Sequence, residues 1–198
     1  MQFFLELLNC NYELCYWKYD AEYHLMETTW KNDLFSGEFF AYVGMEKILR
    51  ERQEQGKLYP VVLEAGNNLL WIAGFEHKEE QVEQVYYIGP IYSGRDSMLI
   101  LRKKLDSYNL SVPLRSRLFR VFEEIPIVPG NILTQYAVMF EYAMNENRIE
   151  AHEIEIVNIL PEMEQEIQLG GSEKHSGIWE AEQNLCRMLE EGSPRYKE

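Results

Sequence analysis

Residues 59–92 read YPVVLEAGNNLLWIAGFEHKEEQVEQVYYIGPIY, and this stretch decides the fold class. VVLEA and LLWIAGF are short runs of β-branched and aromatic residues, the composition of strands. Gly66-Asn67-Asn68 between them is hairpin-turn chemistry. The charged HKEEQVEQ reads as a solvated connection, after which VYYIGPIY makes another strand. Gly89-Pro90 inside that strand predicts a bulge, an edge or a break, because proline cannot donate to a ladder.

Upstream, LCYWKYDAEYHLMETTW predicts an opening β-hairpin, with strands over 14–19 and 23–30 around the turn Asp20-Ala21-Glu22. Phe3, Phe4, Leu5, Leu7 and Leu8 suit a short amphipathic helix before it, ending near Asn9. Residues 44–55 read as a helix closed by Gly56. Downstream, 97–108, 113–124 and 131–145 carry apolar residues at helical spacing. Pro113 sits in a first turn, where a helix tolerates proline, and Pro126 and Pro129 bracket a short rigid connector. Residues 153–157 alternate enough for a last strand, with a helix as the alternative. The order of elements predicts an α+β fold: one antiparallel sheet of about five or six strands with flanking helices.

Around Leu160 the composition turns acidic and then glycine-rich, so we divide the chain into a body over 1–158, a linker over 159–175 and a terminal helix over 176–198. Ser176 can cap that helix and Gly192 can stop it. Its narrow apolar stripe (Ile178, Ala181, Leu185, Met188 and Leu189) predicts a dimerisation seam, since an isolated helix of this length is marginal in water.

The chain has 198 residues and a net charge of −14, with 46% hydrophobic residues. That is enough apolar material for a proper core. Nucleic-acid binding rests on Lys and Arg neutralising phosphates, so this acidic chain is a poor DNA binder by itself. Three cysteines form no disulfide framework and fit a reducing cytoplasm. No signal peptide and no membrane segment is read at the N-terminus.

Phosphate-cradling, nucleophile-elbow and dinucleotide motifs are absent from the sequence. The four histidines are scattered, and Cys10 and Cys15 lack a partnering pair, so no metal site and no cofactor is expected. We read both thiols as ordinary buried cysteines. The acidic pairs Glu79-Glu80, Glu123-Glu124 and Glu190-Glu191 read as solvated faces, and Arg95 with Asp96 as a surface loop. Catalysis would need a nucleophile and base in reach; Cys15 with His24 is the only pair offered, and no enzyme is expected.

The aromatic residues carry more, with 13 Tyr, 9 Phe and 4 Trp. Trp17 and Tyr19 share one face of a strand, because successive side chains alternate. His24 and Trp30 belong to the partner strand, and Trp71 and Tyr87 to the strands that follow. One reading is a plain hydrophobic core, which aromatics dominate in any protein. The other is a ligand pocket lined by Trp17, Tyr19, His24, Trp71 and Tyr87, apolar with a few placed polar tips. Tyr136, on an apolar helix, reads as core.

GNNLLWIAGFEHKEEQVEQVYYIGPIY resembles the sensor core of a group of AraC-type transcription regulators. LDSYNLSVPLRSRLFRVFEEIPIVP and TQYAVMFEYAMNENRI resemble their helical region, and HSGIWEAEQNLCRMLEEGSPRYKE the passage from sensor to DNA-binding half. The similarity covers most of the chain, from about Leu5 to Lys197, through the order of the three segments rather than through one motif. Ser193-Pro194 departs from the Asn usual there. The resemblance implies a PAS- or GAF-like regulatory domain, a linker, and a pair of helix-turn-helix motifs not contained in these residues. The expected partners are then an unknown small-molecule effector, a second copy of the chain, and DNA only through that further half, with no membrane.

Overall fold

The computed structural model describes residues 2–31, 35, 39–65, 69–107 and 111–159. The chain runs α1 (Gln2–Tyr12), β1 (Cys15–Asp20), β2 (Leu25–Thr28), α2 (Phe39–Tyr42), α3 (Met45–Glu54), β3 (Val61–Glu64), β4 (Leu69–Lys78), β5 (Gln81–Tyr92), α4 (Arg95–Ser107), α5 (Val112–Glu123), α6 (Gly130–Asn145) and β6 (Glu155–Asn158). The fold is α+β, as the strand and helix periods require. The linker 159–175 and the stripe of Ile178, Ala181, Leu185, Met188 and Leu189 lie outside the described residues, except for Ile159.

The six strands form one sheet in the order β2-β1-β5-β4-β3-β6. Every pair is antiparallel except the last, where β6 runs parallel to β3. The sheet is therefore mixed, not wholly antiparallel. Parallel neighbours need a long crossover rather than a hairpin, and the chain between β3 and β6 carries two strands and three helices. Arg95 and Asp96 stand in the first turn of α4 rather than in a loop.

The segment HKEEQVEQ departs from expectation. It is not a loop: β4 and β5 extend through it and meet at a two-residue turn, Glu79-Glu80. Val82 is buried between exposed Gln81 and Glu83, so the alternation of a half-buried strand wins over the charge count. Glu79 adopts the positive φ of 57° that such a turn requires.

Helices cover both faces. On one, α1 and α6 bury Phe4, Leu8, Leu133, Tyr136, Ala137 and Phe140 against Val62, Ile72, Tyr86 and Ile88. Gly74 permits this approach, because a Cβ there would stand 2.4 Å from the Phe140 ring. The end of α6 is fastened by a buried carboxylate. Asn145 Nδ2 donates to Glu141 Oε2 at 3.0 Å, and Asn147 Nδ2 to Oε1 at 3.1 Å. Asn145 also ties α6 to β4, donating to the Phe75 carbonyl and accepting from the His77 backbone N–H. A buried carboxylate without such donors is strongly disfavoured.

On the other face, α2 and α3 cover odd-numbered positions of β1, β3 and β4, and the helical region adds Val121 and Ile125. The connector after α5 lies along the end of β5: Tyr92 N–H donates to the Pro126 carbonyl, and Val128 N–H to the Tyr92 carbonyl. Among the described residues no helix is long and apolar enough to cross a membrane.

Candidate functional site

Four of the five residues expected to line a pocket come together on the second face. Trp17 and Tyr19 of β1, Trp71 of β4 and Tyr87 of β5 are all buried there. The pairing of β1 with β5 places Trp17 opposite Tyr87. Trp71 reaches the layer because β5 has a glycine at 89. A Cβ there would meet the indole at 2.9 Å, and the φ of 147° is one that side chains rarely adopt. The expected irregularity at Gly89-Pro90 is a register shift between β4 and β5, inside a central strand rather than at an edge.

His24 is not part of the site. Its side chain is 79% exposed and its Nδ1 lies 3.1 Å from Asp20 Oδ2. It precedes β2 instead of standing in it, and Trp30 follows β2. The reason is local: Tyr23 has a φ of 67°, which breaks strand alternation and turns its own ring inward. Tyr23 thus takes the place expected of His24. Cys15 does not face a base either; its thiol lies 3.8 Å from the Glu13 carbonyl. Burial pushes that thiol up from its ordinary value. Cys10 is exposed, contrary to the expectation of a buried thiol.

The central residue of the layer is one the sequence reading missed. Phe40, from the short helix α2, stacks on Tyr87 with centroids 4.1 Å apart and planes 5° off parallel. Trp17 at 5.1 Å, Tyr19 at 6.1 Å and Trp71 at 6.3 Å meet the same ring edge to face. Phe39 and Phe35 extend the cluster onto Trp71, at 5.7 Å and 5.6 Å. The signal available was the FFAYV run at 39–43, apolar and too short to announce a helix.

The polar tips of this layer are unevenly served. Trp17 Nε1 donates to the Phe35 carbonyl at 3.0 Å. By contrast, Trp30 Nε1, Trp71 Nε1 and the hydroxyls of Tyr23, Tyr87 and Tyr92 are buried without a hydrogen-bond partner among the described residues. Buried polar groups are nearly always paired, so five in one layer is a marked concentration. Burial holds the phenols of Tyr19, Tyr23, Tyr87 and Tyr92 well above their ordinary range, so each is neutral at neutral pH. The Tyr87 hydroxyl also feels those of Tyr23 and Tyr19.

Among the described residues, charge reaches the rim of the layer from α3. Arg50 Nη2 pairs with Glu46 at 2.7 Å, its guanidinium lies 4.1 Å from the Tyr23 ring centroid, and it donates to the Glu22 carbonyl at 3.3 Å. Two residues further, on the other side of the helix, Arg52 pairs with Glu155 of β6 and donates to the Tyr59 carbonyl at 3.3 Å. The same helix therefore touches the aromatic layer and the last strand.

Two other features lie apart from the layer. An open groove of 730 Å³ runs between α1 and α6, lined by Phe3, Leu7, Met139, Tyr142 and Arg148 among others. It lies on the opposite face of the sheet from Trp17, Tyr19, Trp71 and Tyr87 and is wide open. The exposed turn of Asp20, Glu22 and His24 brings three metal-capable atoms within 4.8 Å. Asp20 Oδ1 already accepts from the backbone N–H groups of Glu22 and His24, which accounts for its geometry.

No protein-family model matches the chain, and neither the search of curated proteins nor that of solved structures finds a match.

Proposed function

We propose that this chain is a regulatory, effector-sensing module that performs no reaction, the input half of an AraC-type transcription regulator acting in the cytoplasm as a homodimer. The observation that carries the reading is the aromatic layer with five unpartnered polar tips. Ligand pockets are apolar with a few placed polar groups, and the layer has that composition. DNA would be reached only through a helix-turn-helix half beyond these residues.

The mechanism follows from α3. An effector that displaces Phe40 shifts α2, and α3 follows α2 directly in the chain. Arg52 then carries the shift to Glu155 on β6, whose next residues lead into the 160–198 segment. A ligand moves such an equilibrium only by its differential affinity for the two states. Thermal-shift screening against metabolites should return a stabilising compound, since binding to the native state raises stability. Tyr87→Ala should abolish that shift in a still folded chain; an unchanged shift refutes the role of Tyr87. Truncation after Gly171 should give a monomer by sedimentation, and a dimer would remove the terminal stripe as the main interface.

A second reading is a scaffold with a filled core, favoured by the position of Phe40 amid the four rings. On that reading the unpartnered tips are a cost without return, and no compound stabilises the chain through them.

A further inference from the structure

We propose that Phe40 holds the place of the effector's own ring, and that the effector is a flat, uncharged aromatic or heteroaromatic compound with at least two hydrogen-bond acceptors on its edge. This rests on the reading of the aromatic layer as an effector site, and goes beyond it by naming the ligand class.

Shape comes first. The slot that Phe40 fills has one broad wall, Tyr87, stacked 4.1 Å away, and three strand rings set at 76° to 89° around it, with Phe39 of its own helix at 82°. A planar aromatic ring reproduces these contacts, whereas a sugar or an aliphatic chain, having no ring quadrupole, offers only C–H packing to the same walls. Offset stacking and edge-to-face packing are the two arrangements that aromatic quadrupoles favour.

Hydrogen-bond sense comes next. Of the unpartnered tips, Trp30 Nε1 and Trp71 Nε1 can only donate. The hydroxyls of Tyr23, Tyr87 and Tyr92 can donate or accept. Among the described residues, no buried carboxylate or amide oxygen is left without a partner to match them. The layer therefore has a surplus of hydrogens, and its complement is a ligand with carbonyl, ether or ring-nitrogen acceptors.

Charge decides between ligands of that shape. Among the described residues, the ions that act on the phenols of Tyr23 and Tyr87, Glu46 and Arg50, already pair with each other at the rim. An anionic ligand would enter without a counter-ion, which is costly in a desolvated site. Aromatic clusters can also hold quaternary ammonium ions through ring faces. Here a cation would find Glu46 already paired with Arg50, and the unpartnered indole N–H groups of Trp30 and Trp71 can only donate, so they offer it no lone pair.

Four probes separate these cases on the full chain: coumarin (flat, neutral, two acceptor oxygens), naphthalene (the same outline without acceptors), 2-naphthoate (anionic) and tetramethylammonium (cationic). Binding is read by calorimetry on the native protein and on Phe40→Ala, with Phe40→Leu as a second variant that keeps apolar bulk but no ring. Coumarin should bind Phe40→Ala more tightly than the native protein, and about ten-fold more tightly than naphthalene does, the worth of one good hydrogen bond. Adding Tyr87→Phe should remove most of that preference. Phe140→Ala, which opens an equal space on the opposite face, should show no preference for coumarin. Equal binding of naphthalene, tighter binding of 2-naphthoate or tetramethylammonium, or an equal preference in Phe140→Ala overturns the ligand class while leaving an effector site in place. Folded native and variant proteins that bind none of the four overturn both this inference and the site reading beneath it.

Discussion

Two adjacent tyrosines on opposite faces of β5 should respond with opposite sign to the same one-atom deletion. Tyr86 and Tyr87 are both fully buried. The Tyr86 hydroxyl lies 2.9 Å from Glu76 Oε2 and 2.8 Å from Gln84 Oε1. That of Tyr87 has no partner among the described residues. Removing a hydroxyl that is hydrogen-bonded loses about 1 kcal/mol and strands its acceptors, whereas removing one buried without a partner relieves a desolvation cost of about 1–3 kcal/mol. Tyr86→Phe should therefore destabilise the chain by about 1 kcal/mol, and Tyr87→Phe should stabilise it by about 1–2 kcal/mol. In a domain of this size such a gain raises Tm by roughly 2–8 °C. Urea denaturation gives the assay, with a change of midpoint at constant slope reporting stability alone. The ring, its stack on Phe40 and its volume are preserved in both variants, so packing does not confuse the comparison. If Tyr87→Phe costs 1 kcal/mol or more, the hydroxyl is bonded after all, and the layer loses the feature that marks it as a site.

Gly74→Ala should destabilise by about 1–3 kcal/mol through overpacking against Phe140, and Phe140→Leu in the same chain should recover part of the loss in denaturant titrations; additive losses would place the strain elsewhere. Alkaline titration should unfold the protein cooperatively above pH 10. The phenols of Tyr19, Tyr23, Tyr86, Tyr87 and Tyr92 are held above their ordinary value of 10.0, chiefly by burial, and Tyr16 is pushed up to about 12. The unfolded chain releases these protons first, so stability is whole below pH 10 and falls as pH climbs through the folded values, by up to about 1.4 kcal/mol per pH unit for a phenol as buried as Tyr87. Phenolate absorbance rising gradually from pH 10 without unfolding would contradict this. Arg52→Met should free β6, seen as faster amide exchange at Ile156 and Val157, and should remove the acid sensitivity that comes from Glu155, whose carboxyl Arg52 holds below its usual value. That stabilisation is present above the unfolded carboxylate range and lost as pH falls through the folded value; unchanged exchange in the variant would break the proposed link from α3 to β6.

Much of this fold was legible because alternation and helical spacing survive reading without neighbours. The helix periods over α3 to α6 and the strand runs of β1, β3, β4 and β5 are properties of single segments. What was missed depends on partners far away or on one dihedral. The Glu79-Glu80 turn hides in a charged run, where only buried Val82 betrays the strand. The parallel docking of β6 on β3 depends on the crossover between them, which no local pattern encodes. His24 and Tyr23 exchanged roles because of the positive φ at Tyr23. Cys10 lies two residues beyond buried Leu8, about 200° round the helix, on the solvent side. Phe40 escaped notice because four helical residues carry no period, although it stands at the centre of the layer that Trp17, Tyr19, Trp71 and Tyr87 were expected to form.

Sites where local rules fail are commonly sites of function, and the magnitudes here show how failure could become selectivity. Withdrawing Phe40 from its neighbours forfeits about 3–5 kcal/mol, the range for deleting a buried Phe ring. A planar effector restores the stacking area, so shape alone roughly breaks even. The surplus must come from polar tips that Phe40 leaves unserved, each worth about 1–3 kcal/mol when satisfied. An apolar ring without acceptors thus gains little over the protein's own side chain. A compound that engages Trp71 and Tyr87 together gains about 2–6 kcal/mol on the same values, whose upper end reaches the roughly 5.5 kcal/mol that inverts a two-state equilibrium from 1:99 to 99:1. On the proposed reading the unliganded state is poised by its own imperfection: Phe40 supplies hydrophobic filling that any flat ring could replace, while the unpartnered polar tips would decide which ring is allowed to do so.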